Sequence, residues 1–280
     1  MINKKNNLRP DLEPFDRNRG VIRSSKGGWV IGKGVVCHGL DMMEDFVGKF
    51  SYMQVVVLNA TGKLPSKALA NWLDAVYICL SWPDPRIWCN HIGALGGTAK
   101  ASALASTTAG VLATDARSYG VKPLIEGVEF IQCALHDLKN GKSVETIVEQ
   151  ECRKHGGKPN MMGYARPIAK GDERVPALER VRHHQNLALG DHLKLAMSID
   201  RHLNSKFDES MNVNGYMSAF LSDQGFSSVE VYRVFAVLVA SGVTACYVDT
   251  IGKPAETFLA LRCDDIDYQG QAPREVCEEI

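Results

Sequence analysis

The chain has 280 residues, 45% of them hydrophobic and 23% charged, with 32 basic residues balancing 32 acidic ones. That length allows one large domain or two modest ones, and the composition is that of an ordinary globular protein. Neutral balance removes any global attraction to nucleic acid or an anionic membrane, so a charged ligand must be met by a local cluster.

Residues 1–24 are polar and charged, without the apolar stretch of a signal peptide, and read as a mobile arm. Residues 25–36, SKGGWVIGKGVV, predict a short β-hairpin with glycine-rich turns. Asp41 is placed to cap a helix whose stripe is Met42, Phe46, Val47 and Phe50. Ser51 opens a second helix that stops at Gly62, and Pro65-Ser66 start a third, with Leu69, Leu73, Val76 and Leu80 on one face. In residues 91–113 small side chains fill almost every position, which predicts a central buried helix or helix pair with close backbone approach. Amphipathic helices follow over 124–139 and 143–154, the second closed by Gly156-Gly157. Residues 175–203 read as one long helical tract carrying His183, His184, His192 and His202. Asn214-Gly215 reads as a turn before a further helix, and residues 229–248 as one helix apolar on nearly all faces, in the core or half in a subunit interface. The apolar run 234–248 is too short to span a bilayer. The tail, 258–280, is polar and loop-like. The class is all-α with roughly ten helices.

Eight cysteines stand singly with no CxxC pair, which supports neither a zinc knuckle nor a disulfide framework and suits a reducing, cytoplasmic setting. The adjacent histidines His183 and His184 point to different sides of a helix, so no metal is expected. No phosphate-binding glycine loop, zinc-protease helix or serine-hydrolase elbow is present. The richest stretch is Met161–Leu178, MMGYARPIAKGDERVPAL. Gly163 and Pro167 forbid a regular helix in its first half, and Gly171-Asp172 give a turn and an N-cap signal. Arg166, Lys170 and Arg174 fall at four-residue steps, so a curled loop would converge three cations on one anion, or else form a solvated basic loop with Asp172 and Glu173 alongside. Asn212, Asn214 and Tyr216 sit where amides could meet a ligand or simply form a turn.

The order of these segments resembles the citrate synthase superfamily, most nearly its small citryl-CoA lyase-type members and the citryl-CoA lyase module of ATP-citrate lyase. SYMQVVVLNATGKLPSKALANWLDAV is similar to the helical segment that reads S-F-x-E-V-x-Y-L-L-L-x-G-x-L-P-S in the family, and ASALASTTAGVLA to the helix before its first catalytic loop. Gly163–Pro167 with Lys170 and Asp172-Glu173-Arg174 resembles its G-F-G-H-P-V-H-K…D-P-R. Asn212–Gly215 resembles its N-V-D-G, and Tyr268-Gln269-Gly270 its Y-x-G-P. The resemblance implies a large helical domain, here 25–120 with 215–280, a small helical domain, 121–214, and a homodimer or higher homo-oligomer. It also implies coenzyme A thioesters and citrate-like polycarboxylates as partners, and making or breaking of the bond between an acyl-CoA α-carbon and a ketone by acid–base and enolate-stabilising groups. At the family's catalytic positions this chain carries Ser118 or Tyr119, depending on one gap, then Arg166 and Asn214. An amide is no carboxylate base and arginine accepts no proton, but a guanidinium can stabilise an oxyanion or carboxylate. Lys170 and Arg174 are the expected coenzyme A phosphate contacts, and Arg117, Asn212 and Arg262 the substrate contacts.

Overall fold

A computed structural model describes residues 10–117, 119–166, 170–260, 262 and 264–275. The fold is all-α with one small sheet, and twelve α-helices form among the described residues. The chain divides into two compact units, Met1–Ala70 and Asn71–Ile280, with the boundary inside helix α3 (Lys67–Cys79).

The first unit holds a short helix α1 (Glu13–Asn18) and an antiparallel sheet in the order β1-β2-β3 (Gly27–Val30, Gly34–Cys37, Leu40–Asp41). The predicted hairpin pairs Gly27 with Cys37 and Val30 with Gly34, and the third strand is an addition. Asp41 caps a single π-helical turn, Met42–Phe46, by accepting from the N–H groups of Met43 and Glu44. This turn ends at Val47, where the backbone becomes extended, so the expected stripe does not continue as one helix. Helix α2 (Tyr52–Thr61) begins with the Ser51–Gln54 capping box and ends at left-handed Gly62, as its sequence dictates.

In the second unit the small-residue stretch is a helix pair, α4 (Trp88–Thr98) and α5 (Ala103–Leu112), packed on α12 (Ala240–Ile251). Glycine is required at this contact: a Cβ on Gly97 would lie 2.6 Å from the Tyr247 carbonyl oxygen. A second group comprises α6 (Lys122–Lys139), α7 (Val144–Lys154), α8 (Arg174–His184), α9 (Asp191–Phe207), α10 (Val213–Asp223) and α11 (Ser228–Val234). Helix α10 packs on α6 and α9, and its core carries Tyr216 and Phe220 against Trp72, all fully buried.

Two long predicted helices are each broken. The 175–203 tract splits into α8 and α9 because Asn186 is left-handed (φ +52°) and Gly190 starts a new helix. Gly190 has no capping side chain. The Asp223 carboxylate supplies the cap from α10, accepting from the N–H groups of His192 and Leu193 at 2.9 and 3.0 Å. The 229–248 run splits into α11 and α12, so one face of each half meets a different neighbour. After Ile251 no regular element forms among the described residues. The chain is held to the end of α4 by Glu256 N–H on the Thr98 carbonyl and Phe258 N–H on the Thr98 hydroxyl, both at 3.2 Å. No helix among the described residues is long and apolar enough to cross a membrane.

Candidate functional site: a self-neutralised basic loop on helix α10

The loop begins with a backbone fit that only glycine allows. Gly163 is left-handed (φ +89°), and a Cβ there would lie 2.6 Å from Gly215 Cα in the first turn of α10. With the two backbones this close, Asn212 N–H donates to the Gly163 carbonyl at 3.0 Å, and Ala165 N–H to the Ser210 carbonyl at 2.8 Å. The Asn212 side chain completes the joint. Its oxygen caps α10 by accepting from Asn214 and Gly215 N–H, and its amide nitrogen donates to the Ala165 carbonyl at 2.7 Å. Ala165 is itself held at φ +76°, a strained value for a residue with a side chain, within these bonds. Beneath the loop Tyr164 is buried against the Phe130 edge, and its hydroxyl donates to the Ala196 carbonyl. The expected turn at Asn214-Gly215 is thus the first turn of a helix capped by Asn212.

The charges are organised by Asp172, whose side chain is wholly buried. One carboxylate oxygen accepts the N–H of Arg174, first residue of α8, and the other that of Val213, first residue of α10, at 3.1 and 2.8 Å. A carboxylate at two helix N-termini is favoured by both orphan donors and both dipoles. Arg174 closes a fork on the same carboxylate through Nε and Nη2, each at 2.8 Å. Burial alone pushes the Asp172 carboxyl up, but the Arg174 fork and the two N–H groups outweigh it and hold the group below the usual carboxylate range. Arg166 reaches Asp172 at 3.9 Å and is gripped by Glu173, with Nη1–Oε2 at 2.5 Å and Nη2–Oε1 at 3.1 Å. That pair holds Glu173 low and raises Arg166 further.

Of the three cations expected to converge, two share Asp172 and the third does not. Lys170 pairs instead with Asp208, and both side chains are largely exposed. The Arg174 fork is closed on Asp172 rather than presented to a phosphate. Asn214 spends its amide inside the protein: the nitrogen donates to the Pro123 carbonyl at 3.0 Å and the oxygen accepts from Ser218 at 3.1 Å. Tyr119, 40% exposed overall, has its hydroxyl beside the buried thiol of Cys89 and lies within electrostatic reach of Arg174. Burial of that hydroxyl, with Cys89 adding to it, pushes the phenol well above its usual pKa. Arg117 is exposed, and Ser118 lies outside the described residues. Arg262 is exposed in the tail, bound to its neighbours Asp264 and Asp265. Sequence reasoning gave Asp172 and Glu173 only an accompanying role, and Cys89 none. The spacing of Asp172 two residues before Arg174 is a signal for the first, whereas Cys89 is linked to Tyr119 only through the fold.

Among the described residues no three metal-ligating side chains converge. A cavity of about 340 Å³, walled by Pro83, Pro85, Ala94, Cys246, Asp249 and Phe258, shares no residue with the loop.

No family model matches the sequence, and no curated protein matches it by sequence. Solved structures do match. Citryl-CoA lyase from Hydrogenobacter thermophilus superposes with a TM-score of 0.76 at 21% identity over 92% of this chain and 98% of that one. ATP citrate lyase from Methanothrix soehngenii, in complex with citrate and coenzyme A, gives 0.74 at 17% identity over 94% of this chain, which spans only 44% of that protein. Citrate synthase from Thermotoga maritima MSB8 gives 0.60 at 18% identity over 81% of this chain and 60% of that one. The fold is the citrate synthase fold. Within that fold the described residues of the basic loop are hydrogen-bonded to the start of α10, and Arg166 and Arg174 are paired with the loop's own acids.

Proposed function

We propose that the protein is a citrate-synthase-superfamily enzyme that makes or breaks a carbon–carbon bond in an acyl-CoA, citryl-CoA-like substrate. The observation that carries this reading is the match to citryl-CoA lyase over nearly the full length of both chains, joined to a cationic loop on α10. In this reading Arg166 meets a carboxylate or the oxyanion of the reacting ketone. Tyr119, held neutral, donates a hydrogen bond at the same centre. Lys170, whose partner Asp208 is exposed, exchanges that partner for a coenzyme A phosphate. Arg174 acts through Asp172, keeping the loop in register with α10. The active form is a homodimer in the cytoplasm, with residues 25–120 and 215–280 as the larger domain and 121–214 as the smaller.

A second reading is favoured by one observation: both ends of the Asn214 amide are bonded internally, so that position offers no base. On this reading the chain is a non-catalytic homologue that binds coenzyme A or a polycarboxylate. Incubation with citryl-CoA, and with acetyl-CoA plus oxaloacetate, followed by free-thiol release and product mass, separates the two. Turnover supports the enzyme. Retained binding of coenzyme A or citrate without turnover selects the binding homologue, and loss of both turnover and binding overturns the proposal.

A further inference from the structure

The two guanidinium groups of the loop have unequal partners. Arg174 is locked on a carboxylate that is fully buried and also fixed by two main-chain N–H groups. Arg166, its side chain only 9% exposed, is held chiefly by Glu173, whose side chain is 63% exposed. Among the described residues, the only side chain that holds the Glu173 carboxylate is Arg166. If Glu173 swings into solvent, Arg166 still has the Gly171 carbonyl at 3.5 Å and Asp172 at 3.9 Å to keep it in place. The charge count is also informative. Two arginines against Asp172 and Glu173 sum to zero, and release of Glu173 leaves one positive charge, 2 − 1 = +1, on a largely buried fork. A guanidinium left in that state favours another anion.

We propose that Glu173 is an internal stand-in for the ligand's anionic group, occupying the Arg166 fork until a ligand carboxylate or phosphate displaces it, so that this pair sets which anions the site accepts. The proposal rests on the functional reading above, since it takes an anionic ligand to be bound at this loop. Exposed ion pairs are weak, so the exchange is open to any anion that matches the fork and brings further contacts of its own.

The test is calorimetric titration of the full chain with citrate and, separately, with coenzyme A, for the wild type, Glu173→Gln, Arg166→Gln and the double variant. Glu173→Gln is expected to tighten binding of one probe by roughly three- to thirtyfold, by removing both the competitor and its like charge. Which probe responds identifies the displacing group as a carboxylate or a phosphate. In the Arg166→Gln background the gain is expected to vanish. Should a probe bind the wild type while Glu173→Gln binds it equally or more weakly, the stand-in role is overturned and the functional reading stands. If neither probe binds the wild type or Glu173→Gln, both are overturned. Glu173 is exposed, so the decisive variant is expected to fold.

Discussion

Replacing Asp172 by Asn is the sharpest test of how the site is built. The buried carboxylate accepts four hydrogen bonds: two from the Arg174 side chain at 2.8 Å each, one from Arg174 N–H at 3.1 Å and one from Val213 N–H at 2.8 Å. An amide of the same shape keeps one acceptor oxygen. Its NH2 group then faces either the guanidinium or a main-chain donor, so the fork and one helix N-terminus cannot both be satisfied. Hydrogen bonds to a charged group contribute about 1.5–3 kcal/mol each, and breaking a buried pair from one side costs about 3–5 kcal/mol because the remaining charge stays uncompensated. Arg166, at 3.9 Å, also loses a counter-charge. The expected loss is therefore about 3–5 kcal/mol, read as a lower urea midpoint at unchanged slope by far-ultraviolet circular dichroism. The loss has a pH signature. The native carboxyl titrates below its ordinary value of 3.8. Its stabilisation is therefore complete above that value and disappears as pH falls through the lower native one. The gap between wild type and Asp172→Asn is expected to stay constant from neutral pH down to about 5 and to close below about 4. A deficit under about 1 kcal/mol at pH 7, or a gap that widens in acid, would refute the reasoning.

Gly163→Ala is expected to destabilise by at least about 2 kcal/mol in the same urea assay, since the new Cβ meets Gly215 Cα at 2.6 Å and the residue must keep φ +89°. Asn212→Ala removes both the cap of α10 and the tie to Ala165, and a loss of about 1–3 kcal/mol is expected; a neutral result would mean that water replaces both contacts. Gly97→Ala forces α4 and α12 apart, with an expected cost of about 1–3 kcal/mol and a lower Tm by calorimetry. Ligand affinity is expected to be flat between pH 7 and 9, because Asp172 and Glu173 titrate low while Arg166 and Tyr119 titrate high. A titration limb in that window, measured by calorimetry, would show that another group governs binding.

Local chemistry made the shorter elements legible. Ser51 and Gln54 announce a capping box, Gly62 a left-handed stop, and the glycines of 25–36 a hairpin, because each depends on neighbours within a few residues. The long tracts were misread because a side chain from another helix decided them. Asp223 caps α9 from thirty-one positions away, and no local signal could show that Gly190 would start a helix there. The site divides along the same line. The four-residue steps of Arg166, Lys170 and Arg174 gave a cluster of cations, and the fold does place two of them on one acid. Lys170 goes to Asp208, thirty-eight positions on, and Asn214 turns to the Pro123 carbonyl of α6. Spacing thus found the loop, while its partners were set by how α6, α9 and α10 meet.

The electrostatics of the loop also explain why so many charges sit on a nearly closed junction. Burying Arg166 and Arg174 without acids would leave two uncompensated guanidinium groups, a severe penalty in a poorly hydrated setting. Asp172 answers the first part permanently, because it also holds the N-termini of α8 and α10 and cannot leave without loosening both. Glu173 answers the second part from solvent, and among the described residues its carboxylate holds no side chain but Arg166. The loop therefore carries one structural acid and one that is free to be replaced. On the proposed reading, such a site binds anions by exchange at a fixed fork.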